Sequence, residues 1–224
     1  LNLADQRVGP NSGIRDIGDG AFRHMPLLRE LKMKRSLGAV SGSEVVIGNN
    51  TFSGGLVHLE TLDLSENFRV GDMRLARGAF RDLPGLKILN LRYNNLPQED
   101  FEPGLFRNCR NLTELDLSYN DMTTLSEDIF AGLGDSLDKL DLGSNEIDSV
   151  SMAAFSGFSK LRYLSLNNNR LSVVPLDFVN VTSASPSTWK YIYLAYNPLV
   201  CAPRRPSNFR GSLSLPSGSD ALPL

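Results

Sequence analysis

The chain has few of the residues that build metal centres and disulfide frameworks. Its 224 residues include two cysteines, two histidines and one tryptophan. No Cys/His spacing suits a zinc site, and two cysteines cannot form a disulfide-rich scaffold. No apolar run approaches the ~20 residues that span a bilayer. We therefore expect no metal and no membrane insertion by this segment.

The sequence also lacks the motifs of common catalytic sites. Neither G-x-S-x-G nor G-x-x-x-x-G-K occurs, and His24 and His58 have no Ser or Cys motif to partner them. Ser187 and Lys190 match a serine–lysine pattern, but a match of that length is common by chance. We expect no enzyme and no cofactor. The 23 basic and 25 acidic residues give a net charge of −2, which argues against nucleic acid as a partner.

The chain contains six copies of one sequence pattern. Three apolar positions, separated by two residues and then by one, are followed three places later by asparagine. Successive copies begin 27, 26, 25, 24 and 28 residues apart, and a period of roughly 20 to 50 residues indicates a solenoid. The copies are Leu59-Leu62-Leu64-Asn67, Leu86-Leu89-Leu91-Asn94, Leu112-Leu115-Leu117-Asn120, Leu137-Leu140-Leu142-Asn145, Leu161-Leu164-Leu166-Asn169 and Trp189-Ile192-Leu194-Asn197.

A phenylalanine precedes each ladder of apolar residues. These are Phe22, Phe52, Phe80, Phe106, Phe130, Phe155 and Phe178. A further copy begins at Leu28 and has Ser36 in place of asparagine, and another at Leu1 lacks its beginning. With these features the chain resembles the leucine-rich repeat family, and in particular the animal-type "typical" repeats found in Toll-like receptors and small repeat proteoglycans. The plant-type G-x-I-P signature does not occur.

The resemblance implies the fold. We expect an α/β solenoid of about 7 to 8 coils, a right-handed horseshoe with a parallel β-sheet on its concave face. Short helices, 3-10 turns and loops would form the convex face. Ser126 and Ser151 are expected to be N-caps of short helical turns, and residues 37–50 to form a loop that bulges from the edge. Ladder leucines would fill the interior, because alternate side chains of a strand point to opposite faces.

The domain boundaries follow the repeats. Residues 1–201 are expected to form the solenoid, without an N-terminal cap, because the chain begins inside a repeat; this indicates a fragment. Residues 202–224 are expected to be a flexible Pro/Ser/Gly-rich tail or an incomplete C-terminal cap. Cys201 resembles the start of the cysteine cap of extracellular repeats. Cys109 stands at a leucine position and is expected to be a buried small hydrophobe.

The repeated asparagines are interpreted as structural. Backbone groups need partners where each strand turns, and an amide carries both donors and an acceptor. The resemblance implies an inward ladder of turn hydrogen bonds made by Asn67, Asn94, Asn120, Asn145, Asn169 and Asn197.

The residues between the ladder positions are expected to face solvent and to bind the ligand. All six tyrosines lie in the strand segments, and tyrosine is enriched at interfaces. An acidic stripe crosses the middle of the sheet, and a basic group of Arg29, Lys32, Lys34 and Arg35 lies at its start. Tyrosine also suits strands, and a solvated face would carry the same acids, so a structural reading stays open. The predicted ligand-binding residues are Tyr119, Tyr163, Tyr191, Tyr193, Tyr196, Asp63, Glu114, Asp116 and Asp141.

The resemblance and the expected sheet face predict a non-catalytic recognition module. It would bind a protein or peptide ligand on the concave face, as part of an extracellular receptor or secreted adhesion protein at the cell surface. Sequons at Asn49, Asn111 and Asn180 are candidate N-glycosylation sites and favour export. The scarcity of cysteine leaves open an intracellular, cytoplasmic scaffold or enzyme regulator. A targeting domain of a larger enzyme, such as a receptor kinase, is a third alternative. The sequence indicates no oligomeric state.

Overall fold

The secondary structure consists of short strands joined by turns. The computed structural model describes residues 1–5, 13–38, 44–67, 73–173 and 190–200. Two 3-10 helices, Gln98–Asp100 and Met152–Phe155, lie in this part of the chain, and none of its residues is in an α-helix. The strands are β1 (Glu30–Lys32), β2 (Val45–Ile47), β3 (Thr61–Asp63), β4 (Met73–Leu75), β5 (Ile88–Asn90), β6 (Glu114–Asp116), β7 (Thr124–Leu125), β8 (Lys139–Asp141), β9 (Ser149–Val150), β10 (Tyr163–Ser165) and β11 (Tyr191–Tyr193).

Seven of the strands form one parallel sheet, in the order β1-β3-β5-β6-β8-β10-β11. Each strand pairs in register with its neighbours, so equivalent residues of successive repeats lie side by side. Leu62 is paired with Leu89, for example, and Leu89 with Leu115. The predicted parallel-sheet solenoid is therefore confirmed, with one coil for each of these seven strands.

The interior is filled by the apolar residues of the repeat. The central residues of the middle strands, Leu62, Leu89 and Leu140, are fully buried. Burying each such side chain contributes about 1.5 to 3 kcal/mol, so stacked coils are stable where one coil would not be. The phenylalanines pack from coil to coil. The rings of successive phenylalanines are stacked, with centroids 6.0 to 6.4 Å apart, in the series Phe22, Phe52, Phe80 and Phe106.

Two smaller parallel sheets, β2–β4 and β7–β9, lie outside the main sheet. The first of them corrects the expectation that residues 37–50 form only a bulging loop. Val45 and Ile47 are buried in β2, where they pair with Met73 and Leu75. Three consecutive β-branched residues, Val45, Val46 and Ile47, form a strand, although the glycines and serines around them indicate a loop.

A 3-10 helix, Gln98–Asp100, stands between these two small sheets. Its side chains provide the hydrogen-bond partners that a neighbouring strand would provide. The Asp100 carboxylate accepts the backbone N–H of Leu75 at 2.8 Å and the guanidinium Nε of Arg74 at 2.8 Å. On the other side, the Gln98 side-chain carbonyl accepts the N–H groups of residues 123 and 124, at 2.8 and 3.0 Å. The helix therefore supplies acceptors for one backbone N–H of β4 and for two at the start of β7.

The expectation of two serine-capped helical turns holds in part. Ser151 is at the N-cap position of the second 3-10 helix, although its side chain makes no cap hydrogen bond. The expectation is wrong for Ser126, which precedes a turn without helix. The turn after Ser126 ends at Gly132, whose φ of +99° is a conformation that favours glycine. Among the described residues, no helix is long and apolar enough to cross a membrane. Phe178, Cys201 and residues 202–224 lie outside the described part of the chain.

Candidate ligand-binding face

The candidate site is the outward side of the seven-stranded sheet, here called the sheet face. Because side chains alternate along a strand, the first and third residues of each strand point outward while the central residue points into the interior. The central residue is buried in every strand of the sheet except the last, where Ile192 is half-buried. The strand register places these outward residues in two columns that cross the sheet, as the repeat alignment predicts. The first column is Glu30, Thr61, Ile88, Glu114, Lys139, Tyr163 and Tyr191. The second is Lys32, Asp63, Asn90, Asp116, Asp141, Ser165 and Tyr193.

Three tyrosines of these columns form a contiguous tyrosine cluster, Tyr163, Tyr191 and Tyr193. Their ring centroids are 5.2 to 6.3 Å apart. Tyr191 is 56% exposed and Tyr193 is 38% exposed. The ammonium of Lys139 lies 5.3 Å from the ring centroid of Tyr163. The cluster therefore offers a broad apolar surface with polar tips, which suits a protein contact.

Tyr119 and Tyr196 lie apart from this cluster, at the carboxyl edge where the strands end. Each immediately precedes a repeat asparagine and has a positive φ, 57° and 58°. Asparagine or glycine adopts this left-handed conformation at lower cost, so tyrosine here is strained by about 1 to 2 kcal/mol. The guanidinium of Arg92 lies 4.3 Å from the ring centroid of Tyr119, and Tyr196 is 85% exposed. The five predicted tyrosines thus fall into two groups.

The acids of the predicted stripe have a structural role. The carboxylates of Asp63, Asp116 and Asp141 each accept the backbone N–H two residues further on, at 2.9 to 3.0 Å. The amide oxygen of Asn90 accepts the N–H of residue 92 in the same way, so this hydrogen bond does not require a charge. Glu114 is exposed on β6. Ligand binding by these residues stays a prediction.

Two side chains in the middle of the sheet face, Asp116 and Tyr163, have raised pKa values. Burial raises the pKa of Asp116, and the like charge of Asp141 adds to the rise, while the hydrogen bonds from Ser118 and the charge of Arg92 oppose it. Burial also raises the pKa of Tyr163, and both carboxylates add to that effect. The carboxylates of Asp116 and Asp141 therefore act on each other and on the Tyr163 hydroxyl.

The basic group at the start of the sheet is balanced by acids of the same chain. Lys32 pairs with Glu30 at 2.9 Å, and Glu66 pairs with Lys34 at 2.7 Å and with Arg35 at 3.6 Å. These ion pairs give the basic group a role within the fold. Two further pairs of the same region are Arg29–Glu60 and Arg35–Asp5.

A depression of about 440 Å³ lies at the carboxyl edge, between Tyr119 and Tyr196. These two residues are three coils apart, or about 14 Å at the usual strand spacing. The coils between them carry Ser144 and Asn168 at the equivalent places, and Gly143, Ser165 and Asn167 also line the depression. We call this depression the trough. In the sequence, Gly143 stands at a position where the neighbouring repeats carry larger residues, Arg92, Ser118 and Asn167.

The asparagines of the repeat connect successive coils. The side-chain nitrogen of Asn120 donates to the carbonyls of Leu117 in its own coil and Leu91 in the preceding coil, both at 3.0 Å. Its oxygen accepts the N–H of Leu96 at 3.0 Å. In the degenerate first coil, the Ser36 hydroxyl donates to the carbonyl three residues earlier. The same donor and acceptor pattern recurs at Asn94, Asn145, Asn169 and Asn197.

The other predicted residues lie away from the sheet face. Asn49 and Asn111 are both exposed in turns, and Asn180 lies outside the described residues. Cys109 is a buried free thiol, and burial raises its pKa to about 12. Its sulfur contacts the carbonyl oxygen of a phenylalanine of the preceding coil at 3.7 Å. In the part of the chain that the structure describes, no group of three His, Cys, Asp or Glu side chains could hold a metal ion.

The fold and the repeat pattern agree with the comparison to known families. A family model described as Leucine rich repeat matches residues 40–96, 98–136 and 135–199, and a second one matches residues 85–109. The chain belongs to the leucine-rich repeat family.

Its relatives are longer proteins. Podocan-like protein 1 of Mus musculus is 33% identical over 155 residues, which are 65% of this chain and 24% of that protein. Lumican of Gallus gallus is 34% identical over 56% of this chain and 35% of its own length. Toll-like receptor 9 of Mus musculus is 31% identical over 67% of this chain and 14% of its own length. The chain thus spans about a third or less of these relatives.

Solved structures show the same fold. One is the complex of Latrophilin 3, Unc5D and FLRT2, where the matched chain has 20% identity and a TM-score of 0.62, over 85% of this chain and 60% of that chain. Another is the Toll–Spatzle complex from Drosophila, with 21% identity and a TM-score of 0.54, over 83% of this chain and 24% of that chain.

Proposed function

We propose that the chain is a non-catalytic recognition module that binds a protein or peptide ligand on the sheet face. The observation that carries this proposal is the tyrosine cluster, Tyr163, Tyr191 and Tyr193, whose rings pack together and of which Tyr191 and Tyr193 are exposed. The sheet presents these side chains at fixed spacing, so little conformational entropy is lost on binding. The fold supports the same use, since similar folds occur in the protein complexes that contain FLRT2 and Toll.

The ligand contact is tested with the double variant Tyr191→Ala/Tyr193→Ala. If these tyrosines are interface anchors, the variant binds the native partner more weakly by well over ~1 kcal/mol. The partner is first captured by the intact chain from medium conditioned by the cells that express it, and its affinity is then measured with purified protein. A matched control, Val46→Ala/Val57→Ala, removes exposed apolar surface outside the sheet face. Equal affinity of the folded tyrosine variant and the control contradicts the proposal.

We place the protein outside the cell or at its surface, as part of a receptor or a secreted adhesion protein. Support comes from the exposed sequons at Asn49 and Asn111 and from the 31% sequence identity to Toll-like receptor 9 of Mus musculus. The test is mass spectrometry of peptides from the native protein before and after enzymatic deglycosylation. Occupied sites require passage through the secretory route. Complete absence of glycan from both asparagines favours the intracellular scaffold or regulator, for which the scarcity of cysteine is the supporting observation.

A further inference from the structure

We infer that the trough between Tyr119 and Tyr196 takes a neutral oligosaccharide, as part of a glycan that the protein ligand carries. The inference rests on the proposed function and names the ligand chemistry at one point of the sheet face. Three observations support it: the balance of charge in the trough, the hydrogen-bonding groups that its side chains leave open, and the two tyrosines at its ends.

The charge of the trough is balanced, and both charged groups are already engaged within the chain. Arg92 is the one cation and Asp141 the one carboxylate among the residues that line it. The Arg92 guanidinium donates to the Ser118 hydroxyl at 2.8 Å and lies 4.3 Å from the ring centroid of Tyr119. The Asp141 carboxylate accepts the N–H of Gly143 at 2.9 Å. A charged ligand would bring one of these two groups against a like charge, whereas a neutral ligand would not.

The accessible side chains of the trough offer hydrogen-bond donors next to acceptors. The side-chain nitrogen of Asn168 donates to the Ser144 hydroxyl at 3.1 Å, so the oxygen of this amide and the proton of this hydroxyl stay open toward a ligand. The Asn167 side-chain oxygen accepts the N–H of Ala195 at 3.0 Å, and its nitrogen has no acceptor within the described part of the chain. Sugar hydroxyls donate and accept at once and stand on adjacent carbons, so they match such paired groups.

The tyrosines form aromatic walls at the two ends. Tyr119 is 40% exposed and Tyr196 is 85% exposed, and they stand about 14 Å apart, which is close to the length of a trisaccharide. The C–H groups on one face of a pyranose ring are attracted to the negative face of an aromatic ring. Tyrosine occupies this left-handed backbone position although asparagine, as at Asn168, adopts it at lower cost, and such strain is concentrated at functional sites. No aliphatic residue lines the trough, so an apolar peptide side chain would find packing partners only at its ends.

Two substitutions remove ligand contacts and keep the backbone contacts of the fold. In Asn167→Asp, a carboxylate still accepts the N–H of Ala195, but the amide donor is lost and the trough becomes negative. Its matched control is Asn90→Asp, because Asn90 also accepts a backbone N–H with its side-chain oxygen and lies outside the trough. Tyr196→Asn removes one wall with a residue that suits a positive φ. Its matched control is Glu66→Asn, at the equivalent backbone position outside the trough.

The test is an NMR titration of the complete 224-residue chain with two neutral trisaccharides, mannotriose and triacetylchitotriose. Both represent units of protein-linked glycans. The anionic trisaccharide trigalacturonate and the neutral peptide Nα-acetyl-triglycine amide are titrated in parallel. We expect a saturable shift of the Gly143 and Ser144 amides with at least one neutral trisaccharide, and no shift with the other two probes. Binding should be roughly tenfold weaker in Asn167→Asp and in Tyr196→Asn, and unchanged in both controls.

Several outcomes overturn the inference. These are the absence of a shift with both neutral trisaccharides, an equal response to all four probes, and an unchanged response in the two trough variants. A response to the triglycine probe alone would assign the trough to peptide backbone, and a response to trigalacturonate alone would assign it to an acidic ligand that pairs with Arg92. The amide spectrum outside the trough shows whether each variant is folded, and Tyr196→Asn decides if Asn167→Asp is not.

Removal of the glycans from the captured partner separates this inference from the proposed function. We expect the enzymatically deglycosylated partner to bind the native chain roughly tenfold more weakly. If Tyr191→Ala/Tyr193→Ala loses the partner while glycan removal leaves the affinity unchanged, the proposed function stands and the glycan is excluded. If the tyrosine variant keeps full affinity, the proposed function fails, and the titration alone decides whether the trough binds sugar.

Discussion

At the scale of the residue, the Asp100 side chain takes the place of a neighbouring strand as hydrogen-bond acceptor. It is 3% exposed, and its carboxylate accepts hydrogen bonds from the backbone N–H of Leu75 and the guanidinium of Arg74. Asp100→Ala leaves the buried N–H of Leu75 without an acceptor, so we expect a loss of about 2 to 4 kcal/mol in the free energy of unfolding. Asp100→Asn keeps an acceptor and should cost about 1 kcal/mol. Urea denaturation measures both, and equal stability of the two variants would contradict this account.

The same residue makes stability depend on pH. Burial raises the pKa of Asp100 above its ordinary value of 3.8, although Leu75 and Arg74 oppose the rise. Between 3.8 and the raised value, the folded state binds more protons at this site than the unfolded state. Stability therefore falls as pH rises through this window. The stability of the native chain relative to Asp100→Asn should be greater below the window than above it, as urea denaturation at a series of pH values would measure.

At the scale of the element, one coil is joined to the next by an asparagine. Asn120 donates to three carbonyls and accepts one N–H, and all four partners are buried backbone groups. Asn120→Ala leaves these groups unsatisfied, and we expect a loss of about 2 to 4 kcal/mol. Asn108→Ala is the control, because Asn108 makes one exposed inter-coil hydrogen bond, worth less than about 1 kcal/mol. Similar losses in urea denaturation would show that the asparagine ladder has no special role.

The repeats explain which elements the sequence could predict. The strand register, the buried leucines and the outward columns follow from a pattern that recurs in each coil. Asp100 and Gln98 occur once and have no period, so their role as edge partners for two small sheets became visible only in three dimensions. The trough is similar. Gly143 could be found by aligning the repeats. The two ends of the trough are formed by Tyr119 and Tyr196, which have positive φ and lie three coils apart, and this could not be read from the sequence.

At the scale of the whole molecule, the solenoid is a one-dimensional array in which each coil contacts only its neighbours. Glycines allow close approach on one flank. A Cβ at Gly134 would lie 2.2 Å from the carbonyl oxygen of Gly157, whereas a Cβ at Gly157 would have nothing nearer than 4.0 Å. Gly134→Ala should therefore separate the coil of β8 from the coil of β10. Gly157→Ala is the matched control and should change stability by less than about 1 kcal/mol.

A weakened interface in such an array should divide the unfolding transition. The coils of β10 and β11 carry the tyrosine cluster. The single tryptophan, Trp189, lies two residues before the start of β11 in the sequence. In Gly134→Ala, we expect tryptophan fluorescence to change at lower urea concentration than far-UV circular dichroism, because the C-terminal coils unfold first. Coincident transitions in this variant would mean that the coils unfold as one cooperative unit despite the clash. Ligand affinity should fall along with the fluorescence transition, since the proposed contact surface depends on the coils that detach.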